Sequence, residues 1–229
     1  MQVRNKINIA IDGPAGAGKS TIAKAIAREL GIAYLDTGAM YRACGLKALN
    51  LGIDCFDAEQ ITQMIQDTSI DITYEGGVQK VWLDGTDVTS LIRTQEVSKA
   101  ASDIGTNANV RKKLVHLQQT IAADKSVVMD GRDIAMYVLP NADFKFYVTA
   151  SVEERAKRRY KDLYESNTLN GRSMDDLIVE IAARDYVDMN REAAPLRPAD
   201  DAEIVDTSCL TADEAVEYIL TKIMDKEEG

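Results

Sequence analysis

Ile9-Ala10-Ile11-Asp12-Gly13-Pro14-Ala15-Gly16-Ala17-Gly18-Lys19-Ser20 is the stretch that decides the fold. Lys6 to Asp12 alternates and then runs apolar, the pattern of a short strand buried in a parallel sheet, and Gly13 ends it. Residues 13–20 fit G-x-x-x-x-G-K-[ST] at every fixed position. From Ser20 to Leu30 the apolar residues Ile22, Ala25, Ile26 and Leu30 keep helical spacing until Gly31 stops it. Strand, glycine-rich turn and helix in this order read as a phosphate-binding loop. Its glycines turn amides inward, the helix presents its positive end, Lys19 reaches β- and γ-phosphate oxygens, and Ser20 offers Mg²⁺ a hydroxyl. Gly13, Pro14, Ala15, Gly16, Ala17, Gly18, Lys19, Ser20 and Thr21 are therefore the candidate ATP-binding residues. The plainer alternative is a glycine-rich turn carrying a surface lysine.

Outward from this loop, Ala33-Tyr34-Leu35 reads as a second strand leading into an amphipathic helix from about Thr37 to Leu51. Between Ser69 and Thr89 the texture changes to alternation around Gly76-Gly77 and Asp84-Gly85, which predicts antiparallel hairpins in a small inserted subdomain. Helical periodicity returns from Val110 to Ala123. Val127-Val128-Met129-Asp130 and Phe144 to Val148 are further strands, and charged helices follow at about 152–163 and 174–191. Glu203 to Asp206 is a fifth strand, and Thr211 opens a last helix with Asp213 and Glu214 in its first turn. Five short apolar strands separated mainly by helices predict a three-layer α/β fold with a five-stranded parallel sheet.

Composition narrows the chemistry. The 229 residues are 45% hydrophobic, with 27 Lys+Arg against 37 Asp+Glu, one His and three Cys. Cys44, Cys55 and Cys209 are too far apart for a redox pair or a Cys-rich zinc cage, and a reducing compartment is expected. His116, the single imidazole, leaves no His-based zinc site and one candidate base for a Ser-His-Asp triad. A metal must then be a hard cation on oxygen. Residues Met1 to Asn8 lack the apolar stretch of a secretory signal, and no segment approaches the roughly 18 apolar residues of a membrane span, so a cytoplasmic location is expected. The net charge of −10 argues against coating nucleic acid. Its distribution is uneven: from Glu192 onward there are 11 acids and 3 bases, and the earlier chain is nearly balanced. A site for an anion belongs in that balanced part.

Three constellations there point to a second anionic ligand. Asp36-Thr37-Gly38-Ala39-Met40-Tyr41-Arg42 follows the second strand, at the carboxyl edge where open parallel sheets bind ligands. The Thr37 hydroxyl and free amides could hold a phosphate with Arg42 one turn on; the alternative is a simple N-cap. Asp130-Gly131-Arg132-Asp133 ends a strand near the loop, where Asp130 suits a water-mediated Mg²⁺ contact, or else only a turn with an ion pair. Arg155, Arg158 and Arg159 share one helix, while Arg184, Asp188 and Arg191 stand at i, i+4 and i+7 on another. Such arginines can be a solvated face. Beside a phosphate loop, they are also what transfer between two anions requires.

These segments, with Ile92-Arg93-Thr94-Gln95-Glu96-Val97 after the hairpins and Ala194-Pro195-Leu196 near Arg191, resemble the bacterial cytidylate kinases over nearly the whole chain. The resemblance implies a P-loop kinase fold: a core of residues 1–66, 104–150 and 184–229, a monophosphate-binding insert at about 67–103 and a short helical lid at 151–183. It implies a monomer that transfers the γ-phosphoryl of Mg-ATP to CMP or dCMP. Carried over by position, Thr37, Arg42, Arg132 and Arg191 hold the CMP phosphate, Arg184 and Asp188 take the sugar hydroxyls, and Ser102, Arg111 and Asp133 read cytosine. Arg155, Arg158 and Arg159 belong to the lid over ATP, and Lys19, Arg132, Arg155, Arg159 and Arg191 are the candidate catalytic residues. Thr37 stands where the family commonly has Ser, and keeps the hydroxyl.

A carboxylate or hydroxyl facing the exocyclic amine, with an arginine facing N3 and O2, would favour cytosine over uracil. The acceptor phosphate is already a nucleophile, so in-line transfer needs no general base and no covalent intermediate. The alternatives are a kinase for UMP, AMP or shikimate, a nucleotide-dependent switch acting through a protein partner, and a nucleic-acid binder. The acidic balance and the lack of a basic or aromatic reading motif weigh against the last.

Overall fold

The computed structural model describes residues 6–228. The stretch Met1 to Asn5, part of the segment read above as lacking a signal, lies outside them. In chain order the elements are β1 (Asn8–Asp12), α1 (Lys19–Leu30), β2 (Ala33–Asp36), α2 (Thr37–Asn50), α3 (Ala58–Gln66), β3 (Ile70–Glu75), β4 (Val78–Leu83) and β5 (Thr86–Asp87). They continue with α4 (Gln95–Ile104), α5 (Ala108–Asp124), β6 (Val127–Asp130), β7 (Phe144–Thr149), α6 (Val152–Glu165), α7 (Met174–Asn190), β8 (Glu203–Asp206) and α8 (Ala212–Glu228). Helices surround a five-stranded parallel sheet in the order β2-β6-β1-β7-β8, and β3-β4-β5 form a separate antiparallel sheet. The chain divides into two compact units, Met1–Ile32 with Val128–Gly229, and Ala33–Val127.

In the first unit β1 is buried on both faces, with Ile9, Ala10 and Ile11 wholly inaccessible, as a central parallel strand must be. Burying each such Ile contributes roughly 1.5–3 kcal/mol. Helix α1 turns Ile22, Ala23, Ile26 and Ala27 inward, the i, i+4 stripe its sequence sets. Gly13 joins β1 to the loop at φ 144°, where any Cβ would collide with the Val148 carbonyl oxygen of β7. The loop therefore starts from a fixed point. Helices α6 and α7 close a small core of their own from Ala156, Leu163, Leu177 and Ile181, and the Ser173–Asp176 capping box starts α7.

In the second unit the hairpin turns Gly76-Gly77 and Asp84-Gly85 hold positive φ at both central residues, matching the twist of the strands they join. Asp57 caps α3, Thr94 caps α4 and Asn107 caps α5. Helices α2 and α4 approach so closely that a Cβ at Gly45 would stand 2.8 Å from the Ala101 amide nitrogen. That contact fixes the helix carrying Ser102. The three cysteines are free, and burial pushes the Cys44 thiol up to about 12, so it serves as a small packed group. Among the described residues no helix is long and apolar enough to cross a membrane.

Candidate active site

Positive φ at Gly13, Gly16 and Gly18 shapes the loop after β1, and Gly18 caps α1 in the left-handed conformation without a side-chain bond. The first amides of α1 are thus left for an anion. Lys19, 6% exposed, donates from Nζ to the Pro14 carbonyl oxygen at 2.6 Å. Burial, followed by the Arg132 guanidinium, lowers its pKa well below the ordinary lysine value. Asp130 and Asp12 work in the opposite direction, and a phosphate arriving in the loop adds further negative charge. Ser20 donates from Oγ to Asp130 Oδ2 at 2.7 Å. A hydroxyl and a carboxylate so placed are the hard oxygen donors suited to Mg²⁺ shared with phosphates and water. Thr21 is exposed on α1.

Around this loop the first unit gathers a charge network. Arg132 donates from Nε to Asp188 Oδ2 at 3.0 Å. Burial opposes the charge on Asp188, yet Arg132, Arg184 and Arg191 hold its pKa below the ordinary aspartate value. An ionised Asp188 remains an acceptor for hydroxyl donors. Arg191 donates from Nε to the Ala194 carbonyl at 2.7 Å, with its guanidinium 3.8 Å from Asp133 and 3.9 Å from Asp188. The Leu196 amide returns to the Asp188 carbonyl, which explains why Ala194-Pro195-Leu196 follows the helix. Arg184 is half-buried and acts on both Lys19 and Asp188.

Arg155 and Arg158 flank the loop from α6, and each is held by protein groups. Arg155 donates to both Asp185 carboxylate oxygens at 3.1 and 2.6 Å and to the carbonyls of Ala150 and Ala15. Arg158 donates to Glu154 and to the Thr207 hydroxyl and carbonyl, and the Thr207 hydroxyl donates in turn to the Ala17 carbonyl. Arg159 is half-exposed, and among the described residues no ion pair holds it.

The second unit carries the other candidates. Asp36 caps α2 through Oδ1, accepting from the Ala39 amide at 2.9 Å, while Oδ2 accepts from Arg42 Nη2 at 2.7 Å. The N-cap reading of this segment describes Asp36, and Arg42 is paired with that same carboxylate. Gln79 of β4 locks the Asp36 backbone with Oε1 and Nε2. Thr37 and Arg111 are buried, and Ser102 is half-buried on α4. Sequence reasoning missed Asp12, Gln79, Asp185 as the partner of Arg155, and Thr207. Their roles depend on partners 30 to 190 positions away, apart from the hint that Asp12 directly precedes the loop.

The family model for cytidylate kinase matches residues 9–225. The chain is 52% identical over 217 residues to the cytidylate kinase of Caldicellulosiruptor saccharolyticus, covering 94% of each chain. It is 45% identical over 226 residues to that of Bacillus subtilis, covering 98% of this chain and 99% of the other. Among solved structures, shikimate kinase from Bacteroides thetaiotaomicron matches with a TM-score of 0.50 at 13% identity, covering 95% and 98% of the two chains, a likeness of fold alone. Matched over nearly its whole length by the family model and by these relatives, the chain belongs to the cytidylate kinase family.

Proposed function

We propose that this protein transfers the γ-phosphoryl group of ATP to CMP or dCMP, giving ADP and CDP or dCDP. The observation that carries the reading is the phosphate loop itself, where the first turn of α1 has no side-chain cap, Lys19 is buried beside it and Ser20 meets Asp130. Inward-turned amides and a buried cation gathered in this way are a site for phosphates. Arg132 and Arg191 are assigned to the acceptor phosphate with Thr37 and Arg42, Arg184 and Asp188 to the sugar, and Ser102, Arg111 and Asp133 to cytosine. The loop residues from Gly13 to Thr21, with Arg158, are assigned to ATP, and Arg155 and Arg159 to charge stabilisation during transfer. Ser20, and Asp130 through water, would hold Mg²⁺, which when bound neutralises charge on the phosphates.

The residues act by binding and orientation. Lys19 leaves the Pro14 carbonyl for the β- and γ-phosphate oxygens, whose charge offsets the desolvation of its ammonium. Arg132 and Arg191 bring the acceptor phosphate in line, and closure of the lid at 151–183 and of the insert excludes water that would otherwise take the phosphoryl group. His116 is exposed on α5, consistent with a reaction that asks for no imidazole base. The enzyme is read as a monomer in the cytoplasm, without nucleic-acid or membrane partners.

Coupled ADP release with Mg-ATP against CMP, dCMP, UMP, AMP, GMP and shikimate, with a no-acceptor control, tests the reading. Rapid turnover confined to CMP and dCMP is expected. Slow hydrolysis indifferent to every acceptor contradicts it and favours a nucleotide switch.

A further inference from the structure

We propose that Asp12 is a positioning residue for this reaction, its carboxylate holding the segment that carries Arg132 and Asp133 in fixed register with the phosphate loop. The inference rests on the assignment of Arg132 to the acceptor phosphate. Asp12, 3% exposed at the end of β1, accepts the Ile134 amide on Oδ1 and the Ala135 amide on Oδ2, both at 2.8 Å. On the other side of the same segment, the Gly131 amide donates to the Ile11 carbonyl at 3.0 Å. Arg132 and Asp133 therefore lie on a short span tied to β1 at both ends. Residues 134–138 form a single π-helical turn, a wide and uncommon geometry whose first amides have no partner within the turn. A carboxylate satisfies two such amides at once because it offers two acceptor oxygens and no donor. The anchor is rigid, since Gly13, the next residue, is held against the Val148 carbonyl.

The charged and titratable groups acting on this carboxylate are Lys19 on α1, Asp133 in the tied segment and Tyr147, its register partner on β7. Burial raises the Asp12 pKa to about 7, the two amide bonds working in the opposite direction. Above that pH the carboxylate accepts both amides. Below it one oxygen becomes a hydroxyl facing an N–H, and one of the two ties is lost. Grip on the acceptor should therefore weaken as pH falls through 7.

Steady-state kinetics of Asp12→Asn and wild type from pH 6 to 8.5, with both substrates varied, test this. The amide side chain can accept one backbone N–H and turns its own NH₂ toward the other. Above pH 7, KM for CMP should rise about tenfold, the loss of one buried hydrogen bond, with KM for ATP within about twofold. The ratio of variant to wild-type KM for CMP should shrink as pH falls through 7; this ratio cancels titration of the CMP phosphate itself. Unchanged KM for CMP, or equal rises for both substrates, would overturn the inference. If the variant does not fold, hydrogen exchange of the Ile134 and Ala135 amides in the wild-type enzyme replaces it. Protection, corrected for intrinsic exchange, should fall below pH 7 in step with CMP binding, and pH-independent protection overturns the proposal. A wild-type enzyme inert toward CMP overturns the functional reading itself. CMP turnover with indistinguishable Asp12→Asn kinetics overturns this inference alone.

Discussion

Lys19→Ala lowers kcat for CMP phosphorylation on the order of 10³-fold, the scale seen when one preorganised charge-stabilising donor is removed. The reason lies in what Lys19 does before nucleotide arrives. Its ammonium is buried and donates to the Pro14 carbonyl; burial and Arg132 work against its charge, while Asp130 and Asp12 favour it. That arrangement is unfavourable to the fold and favourable to an incoming polyphosphate. Alanine removes the desolvated charge and leaves the Pro14 carbonyl unpaired, two effects of opposite sign, so thermal stability changes little. Kinetics together with a melting curve separate the cases. Loss of turnover with a preserved melting temperature is expected; near-normal turnover removes Lys19 from the site.

Asp185→Ala has the largest expected effect on stability. Asp185 accepts both branches of the Arg155 guanidinium, and the two side chains are 10% and 4% exposed. Removing one partner leaves a buried, unpaired cation, which costs about 3–5 kcal/mol. In a protein of this size that lowers Tm on the order of 10 °C. Because Arg155 also donates to the Ala15 carbonyl, loosening it disturbs the loop that receives ATP. KM for ATP should therefore rise at temperatures where the variant is still folded. The double variant Arg155→Met with Asp185→Ala should recover part of the lost stability, since no charge then remains buried. A single variant as stable as wild type in calorimetry would show that this pair does not brace the loop.

Much of the fold could be read because its signals are local. The β1 strand, the glycine turn and the α1 stripe lie within some 25 consecutive residues, and the hairpins announce themselves where Gly76-Gly77 and Asp84-Gly85 take positive φ. The strand order β2-β6-β1-β7-β8 could not be read, because alternation of strands and helices implies parallel pairing and leaves the neighbours open. Helices α3 and α4 went unmarked because they are short, nine and ten residues, and bury only narrow stripes: Ile61, Met64 and Ile65 in one, Val97, Ala100, Ala101 and Ile104 in the other. Ile134 to Val138 carries an apolar run without a period, and it becomes a π turn through the carboxylate of Asp12, 122 positions earlier. The candidate site divides in the same way. The phosphate loop and the arginines have motifs, whereas the groups that hold them, Gln79 on Asp36, Asp185 on Arg155 and Thr207 on Arg158, are visible only once the chain is folded.

Transfer of label from ATP radiolabelled in the γ-phosphoryl group is the most direct measurement of the central claim that this site passes a phosphoryl group between two nucleotides. With Mg²⁺ and CMP present, the label should appear in the β-phosphate of CDP in step with ADP formation, and Lys19→Ala should suppress both together. Label recovered as inorganic phosphate with CMP unchanged would contradict it.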